Sequence, residues 1–185
     1  IHLIRYADDF IVTAKDRETI ETVILPLVRN FMAERGLTLS EEKTKITHIS
    51  EGFDFLGFNI RKFPNNTLLT QPSSDAKKRF CDKIRKVIES NKTAKQHSLI
   101  KMLNPIITGW GNYYKYGTSA ETFHRVDWEI HRKLWQWARR RHSNKSKGWI
   151  KDKYFKTVNG RKWRFMADME ERSKMRQITL AYLPD

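Results

Sequence analysis

The chain has 185 residues and carries 36 Lys+Arg against 21 Asp+Glu, a formal net charge of +15 on a length that fits one domain or two small ones. A single cysteine, Cys81, excludes an intrachain disulfide and a cysteine-rich zinc site, and it fits a reducing compartment such as a bacterial cytoplasm or an organelle. No apolar run approaches the roughly 20 residues of a membrane span, so no membrane partner is expected.

The charge is divided unevenly. Residues 1–72 hold 9 Lys+Arg and 10 Asp+Glu, whereas residues 73–185 hold 27 and 11, a balance of −1 against +16. A surplus of that size is the footprint of a polyanion, because each phosphate neutralised by Lys or Arg releases condensed counterions.

Ile1 to Tyr6 and Phe10 to Ala14 are apolar, β-prone runs separated by Ala7-Asp8-Asp9, which predicts a hairpin with acids at its tip. Asp16 is placed to cap a helix whose apolar residues Ile20, Val23, Ile24, Leu27, Val28, Phe31 and Met32 share one face, and Gly36 is placed to end it. Pro26 inside this pattern predicts a kink or a lost hydrogen bond. Leu37 to Leu39, Lys45 to Ser50, Phe53 to Leu56 and Phe58 to Arg61 read as short strands, the last two around Gly57. Residues 1–62 are thus α+β. Pro64, Asn65, Asn66 and Pro72 make 63–74 turn-rich, and the strand pattern is expected to stop there, giving domains 1–72 and 73–185.

Beyond this boundary the period becomes helical. Ser74 is expected to cap a helix with Phe80, Ile84, Val87 and Ile88 inward, and a second helical stretch runs from Gln96, interrupted near Pro105, to about Gly117. Ser119 caps a third, with Phe123, Val126, Ile130, Leu134 and Trp137 inward, which runs into Arg139-Arg140-Arg141. Asn159-Gly160 between aromatic runs in Lys153 to Met166 predicts a hairpin. All six Trp lie between Trp110 and Trp163 among Lys and Arg. Most are expected in the core, and the rest are free to stack on unpaired bases.

Adjacent carboxylates on a tight turn repel each other unless a cation lies beside them. Magnesium prefers oxygen ligands, and two ions roughly 3.5 to 4 Å apart clamp the attacking and leaving oxygens of phosphoryl transfer. Between two apolar strands, Asp8 and Asp9 are expected on the floor of a buried sheet, where unpaired carboxylates are costly without a cation.

Tyr6-Ala7-Asp8-Asp9 resembles the Tyr-X-Asp-Asp hairpin in the palm of reverse transcriptases. Gly36-Leu37-Thr38-Leu39 with Glu42-Lys43-Thr44 is similar to the next block of that family, and Phe53-Asp54-Phe55-Leu56-Gly57-Phe58 to its primer-grip hairpin. Farther on, the run from Leu103-Asn104-Pro105 through Gly109-Trp110-Gly111-Asn112-Tyr113-Tyr114 resembles the maturase domain, known as X, of group II intron proteins. Lys153-Tyr154-Phe155 and Gly160-Arg161-Lys162-Trp163-Arg164-Phe165 are similar to the rest of that domain.

The resemblance implies an α+β chain: part of a reverse-transcriptase palm, an antiparallel sheet with a packed helix, then a mainly α-helical thumb and maturase domain ending in a β-hairpin. It implies RNA-directed DNA polymerisation from dNTPs on an RNA template and a DNA primer, with intron RNA as a further partner whose splicing is assisted. Asp8 would serve both magnesium ions and Asp9 complete the acidic site. Tyr6 would lie under the primer terminus or incoming nucleotide, and Lys43 near its phosphates. Phe55, Leu56 and Gly57 would form the primer grip. Arg139, Arg140, Arg141, Lys145, Lys147 and an exposed Tyr114 would contact RNA. The fingers and the first metal-binding aspartate belong upstream of Ile1 in this family, so the two-metal site is expected to be completed from outside the chain, and the chain alone to be inactive. No His-Asn-His nuclease pattern is present. Two other readings stay open: an RNA-binding maturase without polymerase activity, and a related reverse transcriptase of a non-intron retroelement or defence system.

Overall fold

The computed structural model describes residues 1–171 and 174–184; Arg172, Ser173 and Asp185, which the expected second domain includes, lie outside the described residues. The chain is mixed helix and sheet in two compact units, Ile1–Phe53 and Asp54–Asp185. No helix among the described residues is long and apolar enough to cross a membrane.

In the first unit β1 (His2–Tyr6) and β2 (Asp9–Thr13) pair antiparallel with Tyr6 opposite Asp9, so the turn is Ala7-Asp8 and Ala7 takes a left-handed φ of 54°. A continuous helical segment follows: α1 (Arg17–Thr19), a π-helical stretch Ile20–Ile24, and α2 (Leu25–Ala33). The Asp16 side chain caps it, accepting from the Thr19 amide at 2.7 Å, and Gly36 ends it at φ 68°. Pro26 has no N–H to give the preceding turn. The backbone widens just before it, and the Leu25 amide bonds to Ile20 O, five residues back.

The strands expected at 37–39 and 45–50 do not form. A strand requires a ladder partner; here Ser40 O instead gathers the amides of Lys43 (3.2 Å) and Thr44 (2.9 Å) into a turn. Among the described residues of this unit only Ile24 is a buried hydrophobic; Leu27 and Phe31, on the face expected to be buried, are 65% and 52% exposed. A unit of this size buries a smaller share of its surface than a larger domain does.

The second unit begins with a sheet in the order β3 (Phe53–Phe55), β4 (Phe58–Lys62), β5 (Leu68–Pro72). The turn-rich stretch expected to end the strands is itself a hairpin, closed by Phe63 N–H to Thr67 O at 2.9 Å with Asn66 at φ 66°. Thr118 N–H donates to Thr70 O at 2.7 Å, tying β5 to the helical part. The compact units divide inside β3, between Phe53 and Asp54, whereas the sequence pattern places its domain boundary after Pro72.

α3 (Ser74–Ser90) is capped by Ser73, one residue earlier than expected, whose hydroxyl accepts from the Ala76 amide at 3.2 Å. α4 (Gln96–Tyr114) runs unbroken through Pro105, which lies on an exposed position where the carbonyl left without its bond can meet water. α5 (Ala120–Arg141) buries Phe123, Val126, Ile130, Leu134 and Trp137 as its period predicts. α6 (Lys147–Tyr154), too short to show a period, is capped by Ser146. It leads into the sheet of β6 (Phe155–Val158), β7 (Arg161–Glu171) and β8 (Lys174–Thr179). Asn159 and Gly160 take φ of 49° and 77°, the two left-handed positions of a type I′ hairpin.

α3 packs on both α4 and α5, and α4 carries β7 and β8. Leu99, Ile100, Leu103, Ile107 and Leu134 lie wholly inside. The segment after β8 docks on α4: Asn104 donates to Thr179 O at 3.0 Å and accepts from the Ala181 amide at 2.8 Å, while a Cβ at Gly111 would meet Pro184 Cδ at 2.8 Å. Asn104 of the Leu103 to Tyr114 motif thus holds the chain's own backbone, and Gly111 leaves room for the Leu183 and Pro184 side chains.

Candidate functional site

Tyr6, Asp8 and Asp9 are brought together on the β1–β2 turn, where the Arg5 guanidinium donates to Ala7 O at 2.8 Å. The expected buried floor is absent: both acids are exposed and Tyr6 is 65% exposed. Adjacent hard oxygen donors suit magnesium. Among the described residues, however, no three His, Cys, Asp or Glu gather closely enough to hold a metal. The pair fits part of a magnesium ligand set and not the whole. Lys43 stands exposed in the separate turn at Ser40.

Leu56 and Gly57, at φ 49° and 79°, are the central residues of the tight turn joining β3 to β4. Three donors fix it from elsewhere in the unit. Tyr113 Oη donates to Leu56 O at 2.8 Å, Tyr114 Oη to Gly57 O at 3.3 Å, and the Ser73 amide to Gly57 O at 2.8 Å. The Phe58 ring lies 5.5 Å from that of Tyr113 and 4.8 Å from that of Tyr114. Tyr114, expected on the surface as an RNA contact, is only 6% exposed. Burial first, and then the neighbouring Tyr113, push its phenol above the ordinary range, so it remains a protonated donor. Sequence reasoning missed Tyr113 as a holder of this turn, since nothing local links it to a carbonyl far back in the chain.

The cations of the α5 C-terminus have different surroundings. Arg141 donates to Lys92 O at 2.8 Å and to Ala94 O at 2.9 Å and lies 4.5 Å over the Trp137 ring, which makes it a brace for the α3–α4 loop. Arg139 and Arg140 are exposed. Arg140 and Arg141, with Arg85, Lys92 and Lys133, line a cleft of about 320 Å³ whose one acid is Glu89. Sequence reasoning did not single out Arg85, Lys92 or Lys133, which come from two helices and a loop. Lys145 and Lys147 are exposed, and Lys145 Nζ and Lys153 Nζ lie 5.6 and 4.8 Å from the centre of the Trp149 ring.

Known families align with both units. Residues 1–60 match the family described as reverse transcriptase (RNA-dependent DNA polymerase), and residues 77–155 match the group II intron, maturase-specific domain. The group II intron-encoded protein LtrA of Lactococcus lactis subsp. cremoris is 36% identical over 108 residues, 50% of this chain and 17% of that protein, and LtrA of strain MG1363 matches to the same extent. The chain thus spans about a sixth of the length of these curated relatives. A reverse transcriptase segment followed in order by a maturase-specific one makes the chain similar to group II intron-encoded reverse transcriptases and maturases.

Proposed function

We propose that this chain is the closing part of an RNA-directed DNA polymerase palm joined to a thumb that grips intron RNA and assists its splicing. The observation that carries the polymerase half is the Tyr6-Ala7-Asp8-Asp9 turn, which offers two carboxylates at the tip of a tight hairpin. Asp8 and Asp9 would hold magnesium together with a carboxylate from outside these residues; among the described residues no third donor gathers with them. When bound, the ions supply charge neutralisation at the attacking and leaving oxygens of phosphoryl transfer. Tyr6 would present its ring to the primer terminus or the nucleotide, Lys43 a cation to the nucleotide phosphates, and Phe55, Leu56 and Gly57 a rigid turn to the primer backbone. The thumb reading rests on the +16 surplus after residue 72 and on the cleft of Arg85, Lys92, Lys133, Arg140 and Arg141. The incomplete ligand set is also the observation that favours the second reading, a maturase that binds RNA without polymerising.

The test is primer extension on poly(rA) with oligo(dT). The chain alone should be inactive, and supplementing it with fingers and a first palm aspartate should restore magnesium-dependent synthesis. Asp8→Asn should abolish that synthesis and leave RNA binding nearly intact. Extension by the purified chain alone would show its site to be complete; extension unaffected by Asp8→Asn would remove Asp8 from the chemistry.

A further inference from the structure

β7 alternates inward and outward: Phe165, Ala167 and Met169 are buried, and simple alternation would send Trp163 inward beside them. It does not go there. Lys156 pairs with Arg164 and Val158 with Arg161, so Lys162 and Trp163 together oppose Thr157, a β-bulge. Trp163 occupies the bulge at a left-handed φ of 61°, a conformation that bulky side chains rarely adopt, and its ring is left 42% exposed.

Other aromatics make a base for this ring. His131 and Trp135, one turn apart on α5, meet it edge-on at 6.0 and 5.8 Å between centroids, and Phe155 of β6 lies 6.0 Å away. Lys151 Nζ stands 5.3 Å from the centre of the Trp163 ring. His131 Nε2 is buried in this cluster with no hydrogen-bond partner among the described residues. An exposed ring with a cation beside it is the combination with which single-stranded nucleic acid is held, by stacking and phosphate neutralisation. The neighbourhood is basic: Arg139 is one turn beyond Trp135, and Lys147 and Lys153 share α6 with Lys151, against Asp152.

We propose that Trp163, supported by His131, Trp135 and Phe155 and flanked by Lys151, is a stacking shelf for one unpaired RNA base. This deepens the RNA-binding reading above and rests on it. The shelf would recognise a bulged or looped-out nucleotide by its π-face, with little preference among bases, and would have no role on continuous duplex. It supplies the discrimination by shape that a field of lysines and arginines cannot.

The test compares two RNA hairpins of equal length, one with a single unpaired nucleotide in its stem and one fully paired, in fluorescence-anisotropy titrations of the whole chain. The parent should prefer the bulged RNA. Trp163→Ala should reduce that preference about tenfold, the measure of one base stack, with unchanged affinity for the paired RNA. Trp163→Phe, which keeps a stacking face in the same cluster, should keep most of the preference and guards against a folding defect in the alanine variant. If the parent binds neither RNA, the RNA-binding reading falls and this one with it. If the parent binds and prefers the bulge, but both variants discriminate as it does or lose both RNAs equally, only the shelf is overturned, and the patch is packing or a surface for a protein partner.

Discussion

Replacing Gly57 by Ala probes how the turn expected to meet the primer is held. A Cβ at Gly57 would lie 2.5 Å from Tyr114 Oη, and φ is +79° there. The left-handed backbone alone costs an alanine roughly 1 to 2 kcal/mol. Tyr114 cannot turn aside freely, because its ring is buried 4.8 Å from those of Phe58, Trp110 and Tyr113. Displacing its hydroxyl forfeits the bond to Gly57 O, about 1 kcal/mol more. A total of about 2 to 3 kcal/mol corresponds to a fall of roughly 10 °C in Tm for a unit of this size. Tyr114→Phe separates the causes: with the hydroxyl gone, the next ring atom, Cζ, is 3.6 Å from the new Cβ, an ordinary contact. Gly57→Ala should then cost about 1 kcal/mol less in the Tyr114→Phe background than in the parent, read from urea unfolding of all four proteins. Equal costs in the two backgrounds would refute the steric coupling between turn and helix.

Arg139→Ala with Arg140→Ala should weaken binding to folded intron RNA and to an unrelated RNA of equal length alike, and lower the salt slope by roughly 2, measured by filter binding across a salt series. Arg141→Ala, by contrast, should lower Tm more than it lowers RNA affinity, since it releases Lys92 O and Ala94 O; the reverse ranking would remove the brace. Burial holds the His131 imidazole below its ordinary 6.5, so the unfolded chain takes up that proton first as pH falls. Its contribution is therefore undiminished above the unfolded value, declines as pH drops below it, and levels once the folded form also protonates. His131→Phe should flatten the Tm profile between about pH 7.5 and 5, and an unchanged difference between parent and variant across that range would contradict the assignment.

The sequence by itself determined the features whose causes lie within a few residues. Ala7-Asp8-Asp9 between apolar runs specified the acid hairpin, Asp16 and Gly36 the ends of its helix, Asn159-Gly160 the later hairpin, and the spacing of Phe123, Val126, Ile130, Leu134 and Trp137 the buried face of α5. Those are caps, turns and periods, and they need no distant partner. The family motifs were legible for the same reason, being contiguous.

Tertiary structure decided where a distant partner was required. Leu68 to Pro72 became a strand because β4 was available to pair with it, while Lys45 to Ser50 found no ladder and stayed irregular. Tyr114 was withdrawn from the surface by the Phe58, Trp110 and Tyr113 rings and by the Gly57 carbonyl of the β3–β4 turn, and Arg141 was claimed by a loop some fifty residues earlier. Trp163 was turned outward by a bulge visible only in the pairing of β6 with β7. The reason is common to all five. A side chain's fate in a fold is set by which unsatisfied donor, acceptor or apolar surface lies within a few ångströms, and chain-distant neighbours are assigned by packing, not by local pattern.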